Sequence, residues 1–164
     1  MTSNKPKTQV TSPGLSDPQI RLETMIEKLK ERNFRLTPQR LAVLRILAQS
    51  EGHPSVEKIF DQVKPKFPTT SLATIYKTVN LLKEIGEIIE LDFSEQSHRY
   101  DGNKPYPHAH LVCTHCKKIM DLDVEAVAEL SREAARTSGY RIINHRLDFY
   151  GICPECHSKL IKHG

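Results

Sequence analysis

The sequence predicts an α+β protein that has an N-terminal winged helix-turn-helix domain and a small α/β C-terminal domain. Apolar residues recur at helical spacing between Leu22 and Gly86, and after Gly86 they alternate at every second position. A stretch with two prolines and a glycine, without periodicity, follows at 102–107. These three observations place a disordered tail at 1–18, the winged-helix domain at 19–102, a hinge at 103–108 and the second domain at 109–164.

Length and composition favour two small domains over one large core. The chain has 164 residues, of which 38% are hydrophobic. Residues 1–18 are rich in Ser, Thr, Pro and Lys, which indicates disorder. No run approaches the roughly 18 apolar residues of a membrane span, and no apolar signal-peptide core begins the chain. We therefore expect a soluble cytoplasmic protein without a membrane partner.

Capping and breaking residues bound the predicted helices of the first domain. The first runs from about Leu22 to Asn33, and the second follows Thr37, which precedes a proline suited to the first helical turn. Ser55 caps the third helix, and Gly86 ends the fourth. The residues predicted to face inward on the fourth helix are Leu72, Ile75, Val79 and Leu82. The third and fourth helices, joined by a tight polar turn, form a helix-turn-helix.

Strand patterns follow the helices. Ile89, Leu91 and Phe93 alternate, and a return strand from His98 to Asp101 completes a hairpin that forms the wing. The second domain is predicted as strands His110–Cys113 and Ile119–Leu122, a helix from Val124 to about Thr137, and a long strand Tyr140–Gly151. A domain of so few residues has a small core. We therefore expect that it buries an apolar face in a homodimer and that a bound metal stabilises it further.

Two C-x-x-C pairs form the first group of candidate metal ligands. They consist of Cys113, Cys116, Cys153 and Cys156. Disulfides do not persist in a reducing cytosol, and four thiolates are typical of a closed, structural Zn(II) site. The alternatives are a thiol-disulfide redox pair, in which case the protein is an enzyme, and inert buried cysteines.

A second group of candidate ligands contains no sulfur. It consists of His53, Asp101, His108, His110 and Asp121. Imidazole and carboxylate together suit Fe(II), Mn(II) or Zn(II), and the carboxylates favour iron and manganese. His108 and His110 alternate, so in an extended segment both face one ion. A solvated histidine pair and ordinary surface carboxylates remain the alternative.

Five stretches of the chain resemble the ferric uptake regulator superfamily. They are Arg35–Arg40 (RLTPQR), Gly52–Val56 (GHPSV), Ser71–Tyr76 (SLATIY), Pro107–Cys113 with Cys116, and Tyr150–Cys156. The order of elements is also similar, from about residue 20 to 157. The resemblance implies a winged-helix DNA reader, a dimerisation domain, structural Zn(II) on the four cysteines and a regulatory metal at the hinge.

Within that superfamily the chain resembles the peroxide-sensing branch, because Asp101 and Asp121 stand where ferric uptake regulators tend to carry glutamate. The resemblance implies that the five residues of the second group bind regulatory Fe(II) or Mn(II). It also implies that peroxide is the signal and that the oxidant attacks His53 or His108. A regulator co-repressed by Fe(II) or Mn(II), without peroxide sensing, is the alternative. His145 resembles a ligand of a further site, but without that site's other partners it is interpreted as a core histidine.

The fourth predicted helix carries the candidate DNA contacts. They are Thr70, Thr74, Tyr76, Lys77 and Asn80. Five lysines against one acid between Lys58 and Lys83 give this region a charge of +4, which favours phosphate contact. A dimer reads a palindromic operator in double-stranded DNA. Packing of Tyr76 in the core is the alternative for that residue.

Overall fold

The computed structural model describes residues 17–92, 98–122 and 125–162. Most of the predicted tail, Phe93, the wing turn at 94–97 and the predicted helix start at Val124 lie outside these residues. Within the described chain, helices α1 to α4 make up most of the first domain. They span Pro18–Glu31, Pro38–Gln49, Val56–Val63 and Leu72–Glu84.

Polar caps begin these helices. Thr37, Ser55 and Ser71 each accept a hydrogen bond from the backbone amide three residues later, and the sequence predicted the helix starts at Thr37 and Ser55. Helix α1 begins before the predicted Leu22, because the Asp17 side chain accepts from the amides of residues 19 and 20 and a proline follows it. Gly86 ends α4 with a φ of 76°, a conformation that glycine adopts without strain.

The core of the first domain lies between the four helices. Its fully buried residues include Met25, Leu44, Leu47, Ile59, Ile75, Val79 and Leu82. Leu72 was predicted to face inward but is 37% exposed, because α4 begins at this residue and its first turn extends beyond the core. The helix-turn-helix is therefore a packed unit with an exposed start to α4.

The wing is a two-stranded antiparallel hairpin. Strand β1 spans Ile89–Leu91 and pairs with β2, Arg99–Asp101, so that Ile89 lies opposite Asp101. The amide of Tyr100 donates to the Pro54 carbonyl at 3.1 Å. This bond ties the wing to the loop before α3.

The second domain is a three-stranded sheet with two helices in the described residues. Its elements are β3 (Ala109–Cys113), β4 (Ile119–Leu122), α5 (Glu125–Ser138), β5 (Leu147–Gly151) and α6 (Pro154–Lys162). The central β3 is antiparallel to β4 and parallel to β5.

One prediction for the second domain was wrong, and one helix was missed. The long strand Tyr140–Gly151 is reduced to β5, because Leu147 pairs with Ala109 at the start of β3 and earlier residues extend past that partner. Helix α6 was not anticipated, although Pro154 and Glu155 at its start are ordinary signals for a first helical turn.

Apolar side chains remain exposed on the second domain. The most exposed are Leu130, Tyr140, Ile143, Tyr150 and Ile161. Such a surface fits the expectation that a copy of the chain covers part of it. No helix among the described residues has the length and apolar character needed to cross a bilayer.

A buried arginine ties helix α1 to the residue that precedes the hinge. The fully buried Arg21 side chain donates from Nε to the Gly102 carbonyl at 2.7 Å and from Nη1 to Glu87 Oε2 at 2.6 Å. A Cβ atom at Gly102 would lie 2.7 Å from the Leu47 Cβ, so this close approach requires glycine. The contacts hold the residue next to Asp101 against the first domain.

Candidate metal centres and nucleic-acid interface

The four cysteines meet at one end of the second domain. Cys113 ends β3, Cys116 lies in the following turn, and Cys153 and Cys156 flank the start of α6. One sulfur atom from each lies within 4.8 Å of the others. The Cys116 and Cys153 sulfurs are 3.7 Å apart. Tetrahedral ligation with Zn–S bonds of about 2.3 Å requires about 3.8 Å between sulfurs, whereas a disulfide requires about 2.05 Å. The cluster therefore fits a tetrahedral metal.

Protonation of the thiols is uneven. Hydrogen bonds from the backbone amides of Cys116 and Cys153 lower the pKa of Cys113 to about 6. The hydrogen bond to Cys153, together with burial, raises the pKa of Cys156. The cluster thus holds thiolate and thiol side by side at neutral pH, and binding of zinc would release the remaining protons.

The five candidate nitrogen and oxygen ligands come from both domains. His53 lies in the loop before α3 and Asp101 at the end of β2, whereas His110 lies on β3 and Asp121 on β4. His108 lies in the hinge, next to β3. One ligand atom from each of the five residues lies within 4.8 Å of the others. The structure thus brings together all five residues that the sequence singled out.

Close contacts at the centre of this group involve the two carboxylates. His53 Nε2 is 2.7 Å from Asp121 Oδ1, and His108 Nε2 is 3.1 Å from Asp101 Oδ2 and 3.2 Å from Asp121 Oδ1. Four of the five residues are at most 7% exposed. Among the described residues, the buried atoms His53 Nε2, Asp101 Oδ2, His108 Nε2 and Asp121 Oδ1 make no hydrogen bond of good geometry. Buried polar atoms that converge in this way suit a bound cation.

The electrostatics of the group also favour a cation. Burial opposes charge on His108, but the nearby carboxylates of Asp101 and Asp121 outweigh it and raise the pKa of His108 to about 10. Burial is likewise outweighed at Asp121, where His108 and His53 lower the pKa of the carboxyl group. Burial and the two neighbouring histidines lower the pKa of His110. The carboxylate of Asp121 therefore faces the histidines and stabilises positive charge at the centre.

Local backbone structure presents the ligands. His53 has a φ of 48°, an uncommon conformation that histidine tolerates better than most residues. The carboxylate of Asp101 accepts hydrogen bonds from the amides of Asn103 and Lys104 at 2.9 and 3.0 Å through Oδ1. Its Oδ2 is thereby directed at His108.

One residue next to this group was missed by the sequence analysis. Asp148 Oδ1 lies 3.4 Å from His110 Nδ1, and its side chain is 10% exposed. An aspartate inside a predicted strand gives no signal of this contact, which depends on the pairing of β5 with β3. His145, interpreted as a core histidine, is half-buried, and its Nδ1 lies 3.1 Å from Ser131 Oγ on α5.

The candidate DNA-contacting residues are distributed unevenly. Thr74, Tyr76, Lys77 and Asn80 are exposed on α4. Thr70 is 7% exposed, so its prediction as a DNA contact disagrees with the structure. Since α4 begins only at Leu72, Thr70 lies in the preceding turn, where its hydroxyl is buried.

The same surface carries positive charge. Tyr76 is 39% exposed and its hydroxyl donates to Glu57 at 3.2 Å, so it does not pack in the core. The five lysines between Lys58 and Lys83 are exposed, although Lys83 is paired with Glu90. An exposed helix face with nearby lysines is suited to the major groove and its phosphates.

Comparisons with known proteins agree with this architecture. The model of the ferric uptake regulator family matches residues 31–150. The peroxide-responsive repressor PerR of Staphylococcus aureus is 38% identical over 138 residues, which cover 84% of this chain and 93% of that protein.

Solved structures give the same result. The Helicobacter pylori ferric uptake regulator superposes with a TM-score of 0.73 at 26% identity, and the match covers 87% of this chain and 95% of that chain. That structure is described as having three functional metal-binding sites. A zinc-bound manganese uptake regulator superposes with a TM-score of 0.63 at 32% identity and covers 79% and 98%.

Proposed function

Since the chain belongs to the ferric uptake regulator family of metal-responsive regulators, we propose that it is a metal-dependent DNA-binding repressor that senses hydrogen peroxide. Its regulatory site consists of His53, Asp101, His108, His110 and Asp121 and takes Fe(II) or Mn(II). Peroxide oxidises the ligand histidines His53 and His108, and the repressor then leaves its DNA. We propose a homodimer on a palindromic operator and no enzymatic turnover.

The observation that carries the proposal is the composition and burial of the regulatory site. Its two oxygen donors are both aspartates, Asp101 and Asp121, and its nitrogen donors are imidazoles within 4.8 Å of them. The absence of sulfur in this group favours iron or manganese over a thiolate-bound metal. The curated relative at 38% identity is itself a peroxide-responsive repressor.

The division of ligands between the domains supports a regulatory role for the metal. His53 and Asp101 belong to the first domain, whereas His110 and Asp121 belong to the second. Ligands on both sides of the hinge fix the relative orientation of the domains only when all of them bind. Metal binding thereby favours the orientation of α4 in which a dimer fits DNA.

The histidines provide the response. Bound Fe(II) supplies the redox chemistry that cleaves the O–O bond of hydrogen peroxide. His53 and His108 each can accept one oxygen atom on a ring carbon, so the ring loses two electrons while peroxide is reduced to water. The oxidised ring is a poor ligand for the metal. The carboxylates of Asp101 and Asp121 then lack part of the positive charge that balanced them. The two domains then lose their fixed orientation.

The four cysteines serve a different purpose in this proposal. Cys113, Cys116, Cys153 and Cys156 hold structural Zn(II), which stabilises the second domain. Their spacing supports ligation rather than a redox disulfide. Thiols bound to zinc resist oxidation, so peroxide acts at the regulatory site.

Peptide mass mapping tests the proposal. Fe(II)-loaded and Mn(II)-loaded protein is treated with equimolar peroxide and then digested. We expect one added oxygen on the peptides that contain His53 and His108, with iron only. The peptides with His98 and His145 serve as internal controls and should remain unmodified.

A regulator co-repressed by Fe(II) or Mn(II) without peroxide sensing is the second candidate. It is favoured by the superposition on a manganese uptake regulator at 32% identity. Unmodified His53 and His108 in protein with confirmed iron occupancy would establish this alternative. Iron-dependent oxidation of those two histidines would exclude it.

A further inference from the structure

We propose that Asp148 and Arg146 are positioning residues that connect the regulatory metal site to the wing. The inference rests on the proposed function, since it concerns the same site. Neither residue belongs to the five ligand candidates. Both lie between His110 in the second domain and Asp92, which directly follows β1 of the wing.

The pairing of three strands places Asp148 beside the regulatory site. His110 lies opposite Asp121 of β4 on one side and opposite Asp148 of β5 on the other. Paired residues of neighbouring strands project from the same face of a sheet, so the three side chains form one row. In order across the sheet, the row consists of the candidate ligands Asp121 and His110 and then Asp148.

Within the row, the two nitrogens of the His110 ring face different carboxylates. Nε2 lies 3.9 Å from Asp121 Oδ1, and Nδ1 lies 3.4 Å from Asp148 Oδ1. A carboxylate that accepts from the second nitrogen of a metal-binding histidine fixes its tautomer and the orientation of its ring, and makes the first nitrogen a better ligand. Asp148 is placed to do this for His110.

Arg146 connects Asp148 to the other domain. Its Nε donates to Asp148 Oδ2 at 2.5 Å, and its Nη2 donates to the Asp92 carbonyl at 2.7 Å. The Asp148 side chain is 10% exposed, so its charge needs a partner, and Arg146 supplies one. The guanidinium group is planar and rigid, so it holds both acceptors in one geometry.

The contacts form a continuous path from His110 through Asp148 and Arg146 to the Asp92 carbonyl. A metal that orders His110 orders Asp148, and Asp148 in turn orients the arginine that holds the wing. Because coupling between two sites is reciprocal, loss of the wing contact must also weaken metal binding. That consequence can be measured without DNA or peroxide.

The experiment is a Mn(II) titration of full-length, zinc-loaded protein carrying Asp148→Asn, Arg146→Gln or both substitutions. We expect Asp148→Asn to weaken Mn(II) binding about 10- to 100-fold. Arg146→Gln should weaken it about 2- to 30-fold. Since the arginine acts through Asp148, the double variant should bind Mn(II) within about twofold of Asp148→Asn alone.

Controls separate this role from a general effect on folding or charge. Arg136→Gln removes the same charge from α5, where Arg136 pairs with Glu133 of its own helix, and should leave Mn(II) affinity unchanged. Arg146→Lys keeps the charge but lacks the two-armed geometry, so it should resemble Arg146→Gln. Hydrogen exchange in residues 86–92 at saturating Mn(II) should be faster in both Arg146 variants than in Arg136→Gln. All variants should retain zinc and helical circular dichroism.

The proposal is overturned if Asp148→Asn binds Mn(II) as wild type does, if the two substitutions act additively, or if Arg146→Lys restores full affinity. Unchanged exchange at 86–92 in the Arg146 variants would likewise overturn the connection to the wing. A wild-type protein that binds no Mn(II) would refute the regulatory site itself. Failure of peroxide sensing would leave all these results as they are, so the two proposals fail separately.

Discussion

The two clusters of candidate metal ligands differ in where their residues come from. The four cysteines lie within one domain, at the end of β3 and the start of α6. The histidine and aspartate ligands come from two domains and the hinge, and four of the five are almost completely buried. A metal held within one domain can only stabilise that domain, whereas a metal held between domains also sets their relative orientation. On the proposed function, this difference distinguishes the structural zinc site from the regulatory metal site.

Loss of the cysteine cluster should have the largest effect. We expect Cys113→Ser to abolish zinc retention and unfold the second domain, because structural zinc contributes on the order of 10 kcal/mol of folding free energy. Zinc analysis and hydrogen exchange resolved by peptide measure this. His115→Ala, in the same turn but outside the cluster, is the matched control. A Cys113→Ser protein whose second domain stays protected would remove the distinction between the sites.

Loss of a regulatory ligand should have a smaller and more selective effect. Asp101→Ala should weaken Mn(II) binding by more than about 100-fold. Loss of a residue that only hydrogen-bonds to a ligand costs up to about 100-fold, and loss of a ligand itself should cost more. Zinc content should change little, because Asp101 contributes no ligand to the cysteine cluster. Titration calorimetry with Mn(II) measures the affinity, with His98→Ala as the control. Loss of zinc from Asp101→Ala would show that the two clusters are not independent.

Loss of the buried Arg21 contacts should destabilise the first domain, which contains Asp101. Arg21→Met leaves the carboxylate of Glu87 buried and unpaired, which should cost about 3–5 kcal/mol of unfolding free energy. Denaturant unfolding measures this cost. Lys28→Met, on the same helix, removes only an exposed pair and should cost less than about 1 kcal/mol. A similar loss of unfolding free energy in both variants would show that the buried Arg21–Glu87 pair contributes no more than an exposed one.

The smallest effect is expected for Lys77 on α4, which belongs to neither cluster. Lys77→Ala should weaken binding to duplex DNA and reduce the slope of log affinity against log salt by about 1. Fluorescence anisotropy with Mn(II)-loaded protein at several salt concentrations measures the slope. Lys159→Ala on α6 should leave the slope unchanged. An equal change in both variants would contradict a DNA surface on α4.

Local signals predicted most of the fold. Thr37 and Ser55 cap helices where expected, because a cap depends on atoms within three residues of it. The prediction of a long strand from Tyr140 was wrong, because the length of that strand depends on where its partner β3 begins. The prediction of Thr70 as an exposed DNA contact disagrees with the structure, because its exposure depends on which residue begins α4.

The sequence by itself determined the residue types of both candidate sites. Paired C-x-x-C spacing and the His-x-His segment are local patterns whose chemistry is readable before folding. Only the tertiary structure decided that His53 and Asp121 lie within 2.7 Å of each other and that Asp148 contacts His110. Those distances depend on strand register and on the packing of two domains across a hinge. Both arise from contacts between residues far apart in the chain, which no local pattern encodes.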